Sequence, residues 1–293
     1  MTDTSVNHRK YVIQGKEKIA GWLSRIDAEI YYVITQYQNQ HDIVGAIAEI
    51  GLHHGKSFIA LCLALKNSEK AYGIDVFENQ AANLDLSGFG NKEVLLHNLS
   101  LYKIDPSRTI LDERRSEDVA PKEILDQVGD VRFFSIDGGH WFDVVHSDLK
   151  LAEKTVSDLG VIAIDDFLRP EWPDVSAAYF AWFSKRERPF VPFAIGFNKL
   201  YLCHENELEI YKKLLEQSYF LKNFLIKNYS FMGNVPIPIF TRYQLPEHNL
   251  FDRSYDYLRI YHPELYFYVG KSIKRIKKLL LPKGKGSDVE SKY

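Results

Sequence analysis

Cysteine is scarce in this chain, with only Cys62 and Cys203 among 293 residues. A disulfide framework or a thiolate metal site needs more cysteines, or closer spacing, so both read as reduced core residues. Long apolar runs are missing too, and no stretch approaches the 18 or so residues of a membrane span. Charge of one sign is not in excess: 37 basic residues face 39 acidic ones for a net charge of −2. That balance argues against a protein built to coat nucleic acid. The opening Met1-Thr2-Asp3-Thr4-Ser5 carries no apolar signal region, so the expected location is cytoplasmic. The remainder suits a soluble globular chain, at 45% hydrophobic and 26% charged residues. Aromatic residues make up 14% and gather after residue 179.

Residues 15 to 38 place Ile19, Trp22, Leu23, Ile26, Ile30, Val33, Ile34 and Tyr37 at three- and four-residue steps, which predicts one amphipathic helix. Short apolar runs then alternate with helix-length segments: 43–50, 71–74, 109–111, 131–136 and 160–164. Such alternation predicts parallel βαβ units with helices on both faces, and ligands at the carboxyl ends of the strands. Two further strands, 190–195 and 199–203, joined through Gly196-Phe197-Asn198, predict an antiparallel pair at one edge. The expected fold is α/β, a Rossmann-like, doubly wound, seven-stranded sheet whose last strand is antiparallel. A helix is expected from about 205 to 227. The division is an N-terminal helical segment (1–40), a main domain (41–240) and a helical, basic C-terminal extension (241–293).

The first strand gives way to a helix at Glu49-Ile50-Gly51, with Gly55 and Ser57 following. Gly51 permits a tight turn and close backbone approach to a ligand, and Gly55 relieves crowding between helix and sheet. The dinucleotide fingerprint G-x-G-x-x-G is absent, because His53 stands where its second glycine would admit a pyrophosphate. Asp75, at the end of the second strand, has the placement to accept hydrogen bonds from both ribose hydroxyls of an adenosine. Ser116 and Glu117 follow the third strand as candidate adenine contacts, although a helix cap explains Ser116 almost as well.

The fourth strand runs into Asp137-Gly138-Gly139-His140 and the fifth into Asp165-Asp166. In a parallel sheet both ends fall on the edge that holds Gly51. Three carboxylates without cysteine suit Mg²⁺ or another divalent cation, held by Asp137, Asp165 and Asp166. Such an ion can lower the pKa of a bound hydroxyl, and His140 can take the proton. Strand-ending carboxylates that cap the next helix, and a loop-bracing His140, are the alternatives. Asp143 and Asp148 read as a helix cap and a surface residue. His53, His54, Asn198 and Lys199 are candidate substrate contacts. The run Tyr179, Phe180, Trp182, Phe183 reads as helical core packing ahead of a pocket wall.

Residues 43–183 resemble the class I S-adenosylmethionine-dependent methyltransferases. The likeness is to a bacterial branch of small-molecule O-methyltransferases, and to the metal-dependent macrolide-sugar enzymes. The residues that carry it are Glu49-Ile50-Gly51 with Gly55 and Ser57, Gly73-Ile74-Asp75 with Phe77, Ser135-Ile136-Asp137-Gly138-Gly139-His140, and Asp165-Asp166 ahead of Trp172-Pro173. The resemblance implies S-adenosylmethionine bound by Glu49, Gly51, Gly55, Ser57, Asp75 and Asp137, with Ser116 and Glu117 added as the candidate adenine contacts named above. It further implies three metal ligands, Asp137, Asp165 and Asp166, with His140 as base and a sugar or glycoside as acceptor. In one respect the chain departs from the pattern, since its first motif keeps only Gly51 and Gly55.

Two other classes compete with this reading: an NAD-dependent oxidoreductase, which the missing second glycine disfavours, and a non-catalytic binding protein on the same fold. From Lys271 to Lys285 seven basic residues and no acid interleave with isoleucine and leucine. A basic amphipathic helix there would bring residues 270–285 to the inner face of a membrane, while packing on the domain or a partner subunit is the competing view. A homo-oligomer is left open.

Overall fold

A computed structural model describes residues 4–79, 88–233 and 235–241. The chain enters through α1 (Thr4–Ile13), a short 3₁₀ turn at Gly15–Lys18 and α2 (Arg25–Gln40). The apolar period read as one helix over 15–38 is therefore broken in the middle. Ser24 caps α2 by accepting a hydrogen bond from the Asp27 N–H at 2.9 Å, which fixes a helix start that the period alone does not show.

Alternation of strands and helices follows: β1 (Ala46–Ile50), α3 (Lys56–Cys62), β2 (Ala71–Ile74), α4 (Lys92–Leu101), β3 (Thr109–Asp112), α5 (Pro121–Val128), β4 (Val131–Ile136), α6 (Phe142–Thr155), β5 (Val156–Ile164) and α7 (Pro173–Phe183). Then come β6 (Phe190–Ile195), β7 (Leu200–His204), α8 (Leu208–Glu216), β8 (Leu225–Tyr229) and β9 (Ile237–Phe240). The sheet order is β3-β2-β1-β4-β5-β7-β6-β9-β8. Strands β1 to β5 pair in parallel, and β7 runs antiparallel between β5 and β6. The expected seven strands are present with β7 reversed, and the sheet then continues through β9 and β8. The hairpin therefore lies inside the sheet, not at its edge.

The helix expected to reach residue 227 ends at Glu216, and Leu225–Tyr229 forms a strand instead. Its partner is β9, which pairs antiparallel from Leu225↔Phe240 to Tyr229↔Ile237. A helical period in the sequence carries no sign of that partner. Pro238 fits because β9 shares only the Ile195↔Ile239 rung with β6, leaving the proline out of that ladder.

Period two along the central strands divides the core. Phe133, Val161 and Ala163 face the layer formed by α1, α2 and α3, whereas Phe134, Ile162 and Ile164 face α5, α6 and α7. Tyr179, Trp182 and Phe183 are buried in the second layer, as the reading of core packing expected, whereas Phe180, read with them, is exposed. Both cysteines are buried and free. No helix among the described residues is long and apolar enough to cross a membrane. Residues 242–293, with the expected basic extension and the 270–285 segment, lie outside the described residues.

Candidate active site

Register aligns the strand ends on one line. Ile74 pairs with Ile50, Ile50 with Ile136, Ile136 with Ile164, and Ile164 with Leu200. The next residues out are therefore Asp75, Gly51, Asp137 and Asp165, and Lys199 meets the same line because β7 runs the other way. Gly51 has φ +83°, and a Cβ there would lie 1.7 Å from the Asp137 carbonyl oxygen. Only glycine lets the exits of β1 and β4 approach this closely. Around them His53, Phe77, Asp166 and Leu168 all take positive φ, a conformation that side chains other than glycine visit mainly where surrounding structure holds them.

These exits line a cleft of about 360 Å³. One half contains Gly51, Leu52, Ser57, Asp75, Ser116 and Glu117, with Ala20, Gly21 and Trp22 from the loop before α2 as its lip. Asp75 stands on the wall as expected but is already engaged. Its Oδ2 accepts the N–H groups of Leu52 and His53 at 2.7 and 2.8 Å, and its Oδ1 accepts that of Phe77 at 2.7 Å. A carboxylate offers roughly four acceptor positions, so Asp75 first braces the loop after β1 and has about one position left for a ligand. Glu49 does not line the cleft. It is fully buried, its carboxyl pKa pushed up to about 7 by burial, with the Ser57 and Ser135 hydroxyls beside it. Gly55 is likewise off the wall, capping α3 and packing against Leu95.

The other half holds the chemistry. Asp137, Asp165 and Asp166 offer carboxylate oxygens that all lie within 4.8 Å of one another. Asp166 Oδ2 is 2.9 Å from His140 Nε2, and the imidazole stacks on Trp172 at 4.1 Å with a 14° interplanar angle. Two hairpin residues complete the group. Asn198 Nδ2 donates to Asp165 Oδ1 at 2.7 Å and Asp166 Oδ1 at 2.8 Å. The Lys199 ammonium lies 2.6 Å from Asp165 Oδ2 and 3.4 Å from Asp137 Oδ2. Lys199 is 2% exposed. Burial alone would lower its pKa, but Asp137 and Asp165 outweigh burial and hold it well above the usual value. Burial works to raise Asp165, yet the Lys199 ammonium and the hydrogen bonds around it bring its carboxyl below the usual range. Asp137 goes the other way, raised by burial and then by the charge of Asp165. The two carboxyls are thus pushed in opposite directions, Asp165 down and Asp137 up.

Asn198 and Lys199 were expected to meet a substrate, and their position inside the carboxylate cluster is the main difference from the sequence reading. The signal was the reversed strand: a hairpin strand beside β5 must start at the carboxyl edge. Asp148, expected at the surface, is fully buried with no hydrogen-bond partner for its carboxyl oxygens.

Residues 48–167 match a sequence family described as a methyltransferase domain. The matched segment is 120 of the chain's 293 residues, and over it the chain is similar to methyltransferase domains. The match spans the exits that build the cleft, from the strand before Gly51 to just past Asp166. No curated protein matches the chain. Among solved structures, the O-methyltransferase NovP aligns with a TM-score of 0.51 and 14% identity, over 61% of this chain and 80% of NovP. CalS11, a TDP-rhamnose 3′-O-methyltransferase of calicheamicin biosynthesis, gives 0.45 and 15% over 69% and 93%. An O-methyltransferase from Bacillus cereus in complex with SAH gives 0.45 and 14% over 69% and 90%. The NovP likeness at this identity is one of fold. The cleft offers a wall without bulk at Gly51, about one acceptor position left on Asp75, and polar groups at Ser116 and Glu117.

Proposed function

We propose that the domain transfers a methyl group from S-adenosylmethionine to a hydroxyl of a small-molecule acceptor, a sugar or glycoside, with His140 as general base. The observation that carries this reading is the His140–Asp166 pair at 2.9 Å, lining the same cleft as Gly51 and Asp75. The Asp166 carboxylate beside Nε2 favours the tautomer that carries its proton there, and stacking on Trp172 fixes the ring plane. The donor supplies an electrophilic methyl group on sulfur. The acceptor oxygen forms its bond to that carbon as the sulfur–carbon bond breaks, and the hydroxyl proton passes to His140. The products are a methyl ether and S-adenosylhomocysteine.

Trp141, 48% exposed, lines the same cleft and offers an aromatic face of the kind sugar rings stack on. NovP, the structure of matching fold, is itself described as an O-methyltransferase. Asp137, Asp165 and Asp166 are the donor type that holds Mg²⁺ or another divalent ion, and such an ion would make a bound hydroxyl more acidic. The donor type suits such an ion, but the Lys199 ammonium already bonded within the cluster stands against one, and no step above passes through a metal.

A panel of free sugars, nucleotide sugars and glycosides, incubated with the full chain and S-adenosylmethionine, tests the proposal. S-adenosylhomocysteine release together with a methyl ether product is the expected result. Methylation of amine or carboxyl acceptors with hydroxyl acceptors inert would refute it.

A further inference from the structure

We propose that the Lys199 ammonium is the cation of the carboxylate cluster in this protein, and that methyl transfer proceeds without a divalent ion. The inference rests on the proposed hydroxyl methylation, but its first test needs no acceptor. Three carboxylates converge within 4.8 Å and would repel one another without a positive charge among them. Lys199 supplies it at 2.6 Å from Asp165 and 3.4 Å from Asp137. An ion seated among the same oxygens would face the ammonium directly.

The remaining acceptors are also engaged. Asp165 Oδ1 takes hydrogen bonds from Asn198 Nδ2 and the Asp166 N–H, at 2.7 and 2.9 Å. Both oxygens of Asp166 are bonded, to Asn198 and to His140. An octahedral Mg²⁺ needs lone pairs on several such oxygens at once, and here protein N–H groups hold most of them.

Lys199 has little room to withdraw. Its backbone is fixed where Gly196 N–H donates to the Lys199 carbonyl at 2.8 Å, and where the Asn198 N–H donates to the buried Asp27 at 3.2 Å. Its ammonium sits 5.9 Å over the Tyr31 ring, and Tyr31 is itself tied to Ser135 at 2.9 Å. The charged and titratable groups facing it are Asp27, Tyr31, Asp137 and Asp165, with Glu49 further off. Lys199 is thus a positioning residue: it holds Asp137 and Asp165 beside the acceptor site without reaching the solvent side of the cleft.

The test is a Mn²⁺ titration of the full chain after dialysis against EDTA, read by the paramagnetic resonance of free Mn²⁺. Expected is no stoichiometric binding below millimolar Mn²⁺, with turnover unchanged by EDTA. Lys199→Met, close in length and uncharged, should bind one Mn²⁺ per chain and lose that binding again when Asp165→Asn is added. Its metal-free turnover should fall on the order of 10²-fold, the scale for removing a single preorganised charge or donor, and recover in part with Mn²⁺. Micromolar binding of one Mn²⁺ by the wild type, abolished by Asp165→Asn, would overturn the proposal. So would a folded Lys199→Met that keeps wild-type turnover and binds no Mn²⁺. Should Lys199→Met fail to fold, the wild-type titration alone decides. Absence of any hydroxyl methylation would count against the proposed function and leave the Mn²⁺ result to stand by itself.

Discussion

Replacing Gly51 by alanine adds one carbon at the point where two strand exits cross. That carbon would lie 1.7 Å from the Asp137 carbonyl oxygen, whereas real Cβ atoms essentially never come within 3.0 Å of such a neighbour. The difference, 3.0 − 1.7, demands a displacement of about 1.3 Å between β1 and β4. The neighbouring backbone resists it, because Gly51 N–H donates to Ile74 O and Asp137 N–H to Ile50 O, both at 2.9 Å. Positive φ costs an L-residue roughly 1–2 kcal/mol, and overpacking adds roughly 1–3 kcal/mol. At roughly 2–4 °C per kcal/mol for a domain of this size, the melting temperature should fall by about 10 °C. Because Asp137 moves with its carbonyl, turnover should fall on the order of 10²-fold or more, the scale for a 1 Å misplacement at a reacting centre. Gly129→Ala is the control. Gly129 also has positive φ, +74°, with ψ −162°, but its Cβ would meet nothing within 4 Å, so alanine there should cost about 1–3 kcal/mol of backbone strain alone and leave activity intact. Thermal melts, calorimetry with S-adenosylhomocysteine and turnover on both variants decide the matter. If Gly51→Ala behaves like Gly129→Ala in all three, the close crossing is not what makes this glycine necessary.

His140→Ala should lower turnover by on the order of 10²–10⁴ with S-adenosylhomocysteine affinity unchanged in calorimetry; lost affinity would make His140 part of the cofactor wall. Trp141→Ala should raise the KM for a sugar acceptor several-fold and leave kcat nearly unchanged, whereas an unaltered KM would remove Trp141 from acceptor binding. Asp148 is held near pKa 7 by burial, against 3.8 ordinarily, so the folded chain binds its proton more tightly than the unfolded chain does. Its contribution to stability is therefore full at low pH and is lost as pH rises through about 7, a change of about 3 kcal/mol between about pH 5 and pH 8. Asp148→Asn does not titrate, so its stability relative to wild type should improve by that amount over the same range in denaturant melts; parallel pH profiles would show that the carboxyl is not buried.

The sequence could be read as far as each strand's own period reaches. Phe133 and Phe134 face opposite layers because successive residues of a strand do so, while the apolar runs ending at Ile136 and Ile164 put the strand exits at Asp137 and Asp165. Period does not say which strands are neighbours. A hairpin at the sheet edge and a hairpin with its second strand inserted beside β5 have the same apolar pattern, yet only the second brings Lys199 to Asp165. The same gap hid Asp148, since an acid on a helix reads as solvated until a sheet and a neighbouring loop close over it. It hid the strand at 225–229 as well, whose partner β9 lies eight residues further on. Gly51 and Asp75 were found because they sit in a short segment whose turn geometry is local. Even there, the carboxylate of Asp75 proved to hold the loop N–H groups first. A residue's type and spacing therefore identified the edge of the sheet where chemistry gathers, while its charge balance depended on strand order: with β7 at the rim the three aspartates would need an external cation, and with β7 beside β5 they acquire one from the chain itself.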